Sequence, residues 1–158
     1  MDIKNKLKSL LEINEFKSIS FHNVDSQLTA VFKKENGNKV FDLGLFYTPQ
    51  DDLIIFQFYH RFENTYQKPE IDFYEVINTF NSQSILGNLL VQNEKENYFI
   101  SYKSNYFILK ESFMNHEKDF VLFLKTSFEM AVLFEKRIMK WEWNDKLHCN
   151  IPVEVPTT

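Results

Sequence analysis

Three glycines, four prolines and a single cysteine, Cys149, are all that 158 residues contain of these types. Three glycines leave no room for a Gly-rich phosphate cradle, and neither a G-x-S-x-G elbow nor a dinucleotide fingerprint is present. One cysteine excludes an internal disulfide. Basic excess is missing too: 18 Lys and Arg stand against 22 Asp and Glu, a formal net charge of −4. Without a run of basic residues there is no electrostatic footprint for a phosphate backbone, so nucleic acid is not an expected partner. Apolar runs such as "FVLFL" (Phe120–Leu124) and "MAVLF" (Met130–Phe134) fall far short of the ~20 residues that span a bilayer, so no membrane partner is expected either. The start, "MDIKNKLKSLLEI", is an amphipathic pattern, not a leader, and with the lone cysteine it leads to an expectation of the cytoplasm.

What the chain does have is aromatic and regular. Aromatics make up 16% of it, 17 of them Phe, and they favour strands, while few Gly and Pro leave few breaks. With 44% hydrophobic and 25% charged residues, the chain suits one well-filled core. A single domain over 1–142 is expected, followed by an irregular tail over 143–158 that ends "NIPVEVPTT".

Ile3, Leu7, Leu10 and Leu11 recur at helical spacing and predict a helix over 2–13. From Lys17 the period changes to two: Ile19 and Phe21, then Leu28, Ala30 and Phe32, each alternate with residues of the opposite face. "ENGN", Glu35 to Asn38, supplies a hairpin turn. Phe41, Leu43, Leu45 and Tyr47 line one face of the next strand, "TPQDD" reverses the chain, and "LIIFQFYHRF" follows. There Ile54, Phe56 and Phe58 read as core, and Leu53, Ile55, Gln57, Tyr59 and Arg61 as the other face.

Pro69, Glu70 and Asp72 suit a helix start, and the apolar side from Ile71 to Phe80 predicts a helix over 70–81. Three strand candidates follow: Ile85–Gln92, Tyr98–Lys103 and Tyr106–Ser112. Asn115, with Glu117 behind it, reads as the N-cap of a last helix over 116–141, with Phe120, Leu124, Phe128, Ala131, Phe134 and Ile138 on one stripe. The fold class is therefore α+β, an antiparallel sheet with element order helix, three or four strands, helix, three strands, helix.

"VINTFNSQSILGNLLV" followed by "NYFISYKSNYFILKESF" and a long final helix resembles the YbjN family, also called bacterial sensory transduction regulators, whose fold is similar to that of type III secretion chaperones. The resemblance is most specific over 71–140. Its motif residues are Asn78, Asn81 and Gly87. Asparagine tolerates left-handed conformations and can satisfy loose backbone groups at a helix end, which is an adequate structural account of the pair, with ligand binding the alternative. Gly87 inside a strand fits a bulge or a close approach of the final helix.

No chemistry assembles from the rest. His22, His60, His116 and His148 are scattered and lack partners at metal spacing, so neither a metal nor a cofactor is expected. Asp51 and Asp52 read as a solvated turn, and Cys149 has no activating base. What remains is apolar surface. Val40, Phe46, Ile55 and Tyr59, with Tyr102, Tyr106 and Ile108, are the candidate protein interface, unless they are core on a face misassigned by one residue of register. The expectation is a non-enzymatic, chaperone-like or regulatory scaffold that binds protein, itself as a homodimer or a client segment. The alternative is a small apolar ligand held between the sheet and the C-terminal helix.

Overall fold

The computed structural model describes residues 2–25, 27–37, 39–66 and 71–143. The elements run α1 (Ile3–Ile13), β1 (Lys17–Val24), β2 (Gln27–Asn36), β3 (Lys39–Gln50), β4 (Leu53–Tyr66), α2 (Ile71–Gln83), β5 (Asn88–Glu94), β6 (Asn97–Leu109), α3 (Lys110–Asn115) and α4 (Lys118–Trp143). The six strands form one antiparallel sheet in the order β1-β2-β3-β4-β6-β5. This is the α+β class expected from the sequence.

Two-residue turns link the hairpins, and among the described residues Asp25, Gly37, Asp51 and Lys95 of these turns have positive φ. Such turns match the right-handed twist of the strands they join. "ENGN" closes with Asn36 paired to Lys39, and Asp51 and Asp52 make the next turn.

The chain divides into two compact units, and β4, β6 and α4 each run through both. The first comprises Met1–His60 and Ser104–Thr126. Leu7, Leu10 and Leu11 of α1, Phe32 of β2, Leu43 and Leu45 of β3 and Phe56 and Phe58 of β4 are buried there. Phe56 lies 4.6 Å from Phe120 and 5.2 Å from Phe113, ring centre to ring centre, and Phe113 meets Phe120 edge-on at 5.1 Å. Offset and edge-on rings of this kind gain about 0.5–1.5 kcal/mol each beyond their buried area. His60 is buried on this side too, its Nδ1 3.0 Å from the Asp42 carbonyl and its ring against Phe41.

The second unit comprises Arg61–Lys103 and Ser127–Thr158. Val76, Ile77 and Phe80 of α2, Leu89 of β5, Tyr102 of β6 and Phe128, Ala131, Phe134 and Ile138 of α4 form its core. Phe134 packs against both Phe80 and Tyr102.

Local readings that the structure changes lie in the second half. Tyr98–Lys103 and Tyr106–Ser112 are not two strands: one strand runs from Asn97 to Leu109, with Phe99 to Tyr102 all buried and alternation only from Lys103 onward, and the chain then turns helical as α3. β5 starts at Asn88, not Ile85. Asn115 is the last residue of α3, not an N-cap; α4 starts at Lys118, and the Glu117 carbonyl accepts its Val121 N–H. Pro69 and Glu70, and the tail from residue 144, lie outside the described residues.

Candidate protein-binding face

Strand alternation in the first unit puts Phe32, Leu43, Leu45, Phe56 and Phe58 on the buried face of the sheet and leaves the opposite face to the intervening residues. Register assigns the neighbours on that outer face. Ser20 pairs with Val31, Val31 with Gly44, and Gly44 with Tyr59; His22 pairs with Thr29, Thr29 with Phe46, and Phe46 with Gln57. Phe46 and Tyr59 meet edge-on at 6.1 Å, and the Gln57 carboxamide donates to Asn105 Oδ1 at 3.0 Å.

The Lys110 N–H donates to the Asp52 carbonyl at 2.7 Å. An antiparallel ladder that joins 52 to 110 and 57 to 105 places Ile55 beside Phe107 and Leu53 beside Leu109. Phe107 is 62% exposed and Leu109 58%, with Ile55, Tyr59 and Phe46 half-buried around them. The face is contiguous, aromatic and open.

Of the seven residues expected at an interface, Val40, at 47% exposure, Phe46, Ile55 and Tyr59 therefore lie on this outer face. The β6 residues do not. Tyr102 is fully buried and Ile108 only 6% exposed, and Tyr106 shares their parity, its ring stacked on Phe123 at 5.1 Å. Burial pushes the Tyr106 phenol above its ordinary pKa, and the Asp119 carboxylate adds to the rise. A one-residue parity error inverts a strand, and Phe107 and Leu109 are the outward residues of β6 that it hid. Ser104, buried, and Asn105, exposed, carry the strand across the gap left between the two strand candidates.

Charges at the far end of the face neutralise one another. Lys33 pairs with Asp42 at 3.6 Å and Lys17 with Glu35 at 3.7 Å. Thr29 is buried between His22 and Phe46, and its hydroxyl has no hydrogen-bond partner among the described residues. Near Leu109 an open cleft of about 570 Å3 is lined also by Asp52, Lys110, Glu111, Met114 and Asn115. Among the described residues no group of three or more His, Cys, Asp or Glu could hold a metal, and no helix is long and apolar enough to cross a membrane.

In the second unit, Asn78 is exposed on α2, whereas Asn81 reaches β5: its Oδ1 accepts the Leu89 N–H at 2.7 Å and its Nδ2 donates to the Leu89 carbonyl at 3.1 Å. Gly87 precedes β5 instead of lying inside it, with φ +76°, and the close approach is that of β6, not of the final helix: a Cβ there would press on the Lys103 carbonyl and sit 2.7 Å from Tyr102 Oη. The Tyr102 hydroxyl donates to the Leu86 carbonyl.

No family model matches the chain, and no curated protein does. Among solved structures it is similar to YbjN from E. coli, described as "a putative transcription regulator", at 14% identity over 96% of this chain and 97% of that one, with a TM-score of 0.47. The likeness is one of fold, to the family that the sequence pattern resembles.

Proposed function

We propose that the protein is a non-enzymatic, cytoplasmic binding scaffold that pairs with a second copy of itself through the outer sheet face of its first unit. The observation that carries this reading is Phe107, more than half exposed beside Ile55 on a face shared with Leu109, Phe46 and Tyr59. Contiguous exposed aromatics are unusual on a surface that meets only water. The charges on the face are paired within it, so it selects no strongly charged partner and fits an identical face. A standard interface buries roughly 800 Å2 on each side. A small apolar ligand between the sheet and α4 has less support, because in the first unit Phe56, Phe113 and Phe120 fill that space with ring contacts.

Light scattering over a concentration series tests the reading. The expected result is a dimer mass that persists in high salt, because apolar contacts are not screened, and a monomer mass for Phe107→Glu or Ile55→Glu with unchanged circular dichroism. A monomer for the unsubstituted chain at every concentration would overturn the self-association and leave a client segment as the occupant.

A further inference from the structure

β5 ends the strand order of the sheet, next to β6. An edge strand presents a row of N–H and C=O groups to any extended chain, and proteins blunt such edges with charge, proline, bulges or a covering element. β5 reads Asn88-Leu89-Leu90-Val91-Gln92-Asn93-Glu94: no charge before its last residue, no proline, and an unbroken register with β6. Its one acidic residue, Glu94, is occupied by Arg61 at 2.9 Å.

Leu89 stands opposite Tyr102, and its N–H is bonded to Asn81, so its backbone groups point away from β6. In an antiparallel ladder that orientation returns every second residue, so those of Val91 and Asn93 point the same way. Asn81 meets Leu89 as a neighbouring strand would, a carboxamide offering one acceptor and one donor to one N–H and one C=O. No other residue type of similar size provides both in that geometry except glutamine, one methylene longer.

We infer that the Asn81 carboxamide is a surrogate strand that shuts the β5 edge, and that withdrawing it turns β5 into a pairing edge for β5 of a second copy. With Asn81 in place, an added strand meets an occupied position at Leu89 and only Val91 and Asn93 remain, too short a ladder to hold. With Asn81 withdrawn, Leu89, Val91 and Asn93 form a continuous uncharged row that two identical strands can satisfy reciprocally about a two-fold axis. Ile85, 92% exposed in the segment leading into β5, adds apolar surface at the same place. The inference is independent of the outer face of the first unit.

The test compares the full chain with Asn81→Ala and Asn81→Ala/Asn93→Pro. Proline at 93 removes an N–H that points away from β6, so it blocks pairing at the edge without cutting the native ladder. The expected result is a concentration-dependent mass above that of the unsubstituted chain for Asn81→Ala, with exchange of the Leu89 N–H faster by about tenfold or more, and return to the original mass in the double variant. A folded Asn81→Ala of unchanged mass would overturn the inference, as would association that the proline does not reverse. Should Asn81→Ala fail to fold, hydrogen exchange in the unsubstituted chain decides: a slow Leu89 N–H beside fast Val91 and Asn93 supports the clip, and equal fast exchange at all three overturns it.

Discussion

Gly87 is where a single residue's freedom matters most. Its φ of +76° is a conformation that L side chains rarely adopt, and the Lys103 carbonyl and Tyr102 hydroxyl leave no space for a methyl group. Gly87→Ala is expected to cost about 2–3 kcal/mol in chemical denaturation, combining backbone strain with overpacking. Gly37→Ala, also at positive φ but with nothing near its Cβ, should cost less. Gly37 was visible in the sequence as part of the "ENGN" hairpin turn, and Gly87 as a glycine inside a strand candidate. That Gly87 packs under Tyr102 was not visible, because sixteen residues separate Tyr102 from the Leu86 carbonyl it bonds. Asn81 repeats the lesson: asparagine near a helix end announced a backbone bond, but its partner lies on the strand beyond.

At the scale of elements, α4 is the clearest case of pattern becoming packing. Phe120, Leu124, Phe128, Ala131, Phe134 and Ile138 recur at helical spacing, and every one is buried. Leu133, beside that stripe, is 40% exposed. Phe120→Ala should destabilise by about 3–5 kcal/mol, since it removes a ring packed on Phe56 and Phe113 and leaves a cavity. Phe107→Ala, on the open face of β6, should cost under about 1 kcal/mol of folding stability. Equilibrium denaturation of the two variants measures the contrast, and equal losses would place Phe107 in the core. The element the sequence hid is α3. Lys110, Glu111 and Met114 are good helix formers, but six residues are too few to display a helical period, and Phe113, packed against Phe56 and Phe120, is the one residue that α3 buries.

For the molecule as a whole, stability should follow pH through Glu117. Its carboxyl is held below the ordinary value of 4.5, first by its own backbone N–H and then by the Lys6 ammonium, 3.5 Å away. A lowered folded pKa means that the unfolded chain takes up the proton first as pH falls. The Glu117 contribution is therefore complete above about pH 4.5 and is lost as pH drops through the lowered value. Comparison of the native chain with Glu117→Gln by denaturation should show a constant gap at neutral pH that narrows below pH 4.5; a gap independent of pH would contradict the assignment.

The α+β class, the hairpins at "ENGN" and "TPQDD", and the buried faces of α1, β3, β4 and α4 follow from the sequence alone, because period and turn chemistry act between residues a few positions apart. Tertiary structure decided which face of β6 is open, that Phe107 and Leu109 lie there and Tyr102 and Ile108 do not, and that Asn81 clips the edge of β5. Those outcomes depend on register and on partners distant along the chain. In β6 both parities carry apolar residues, so its two-residue period carries no information about which face the helices will cover.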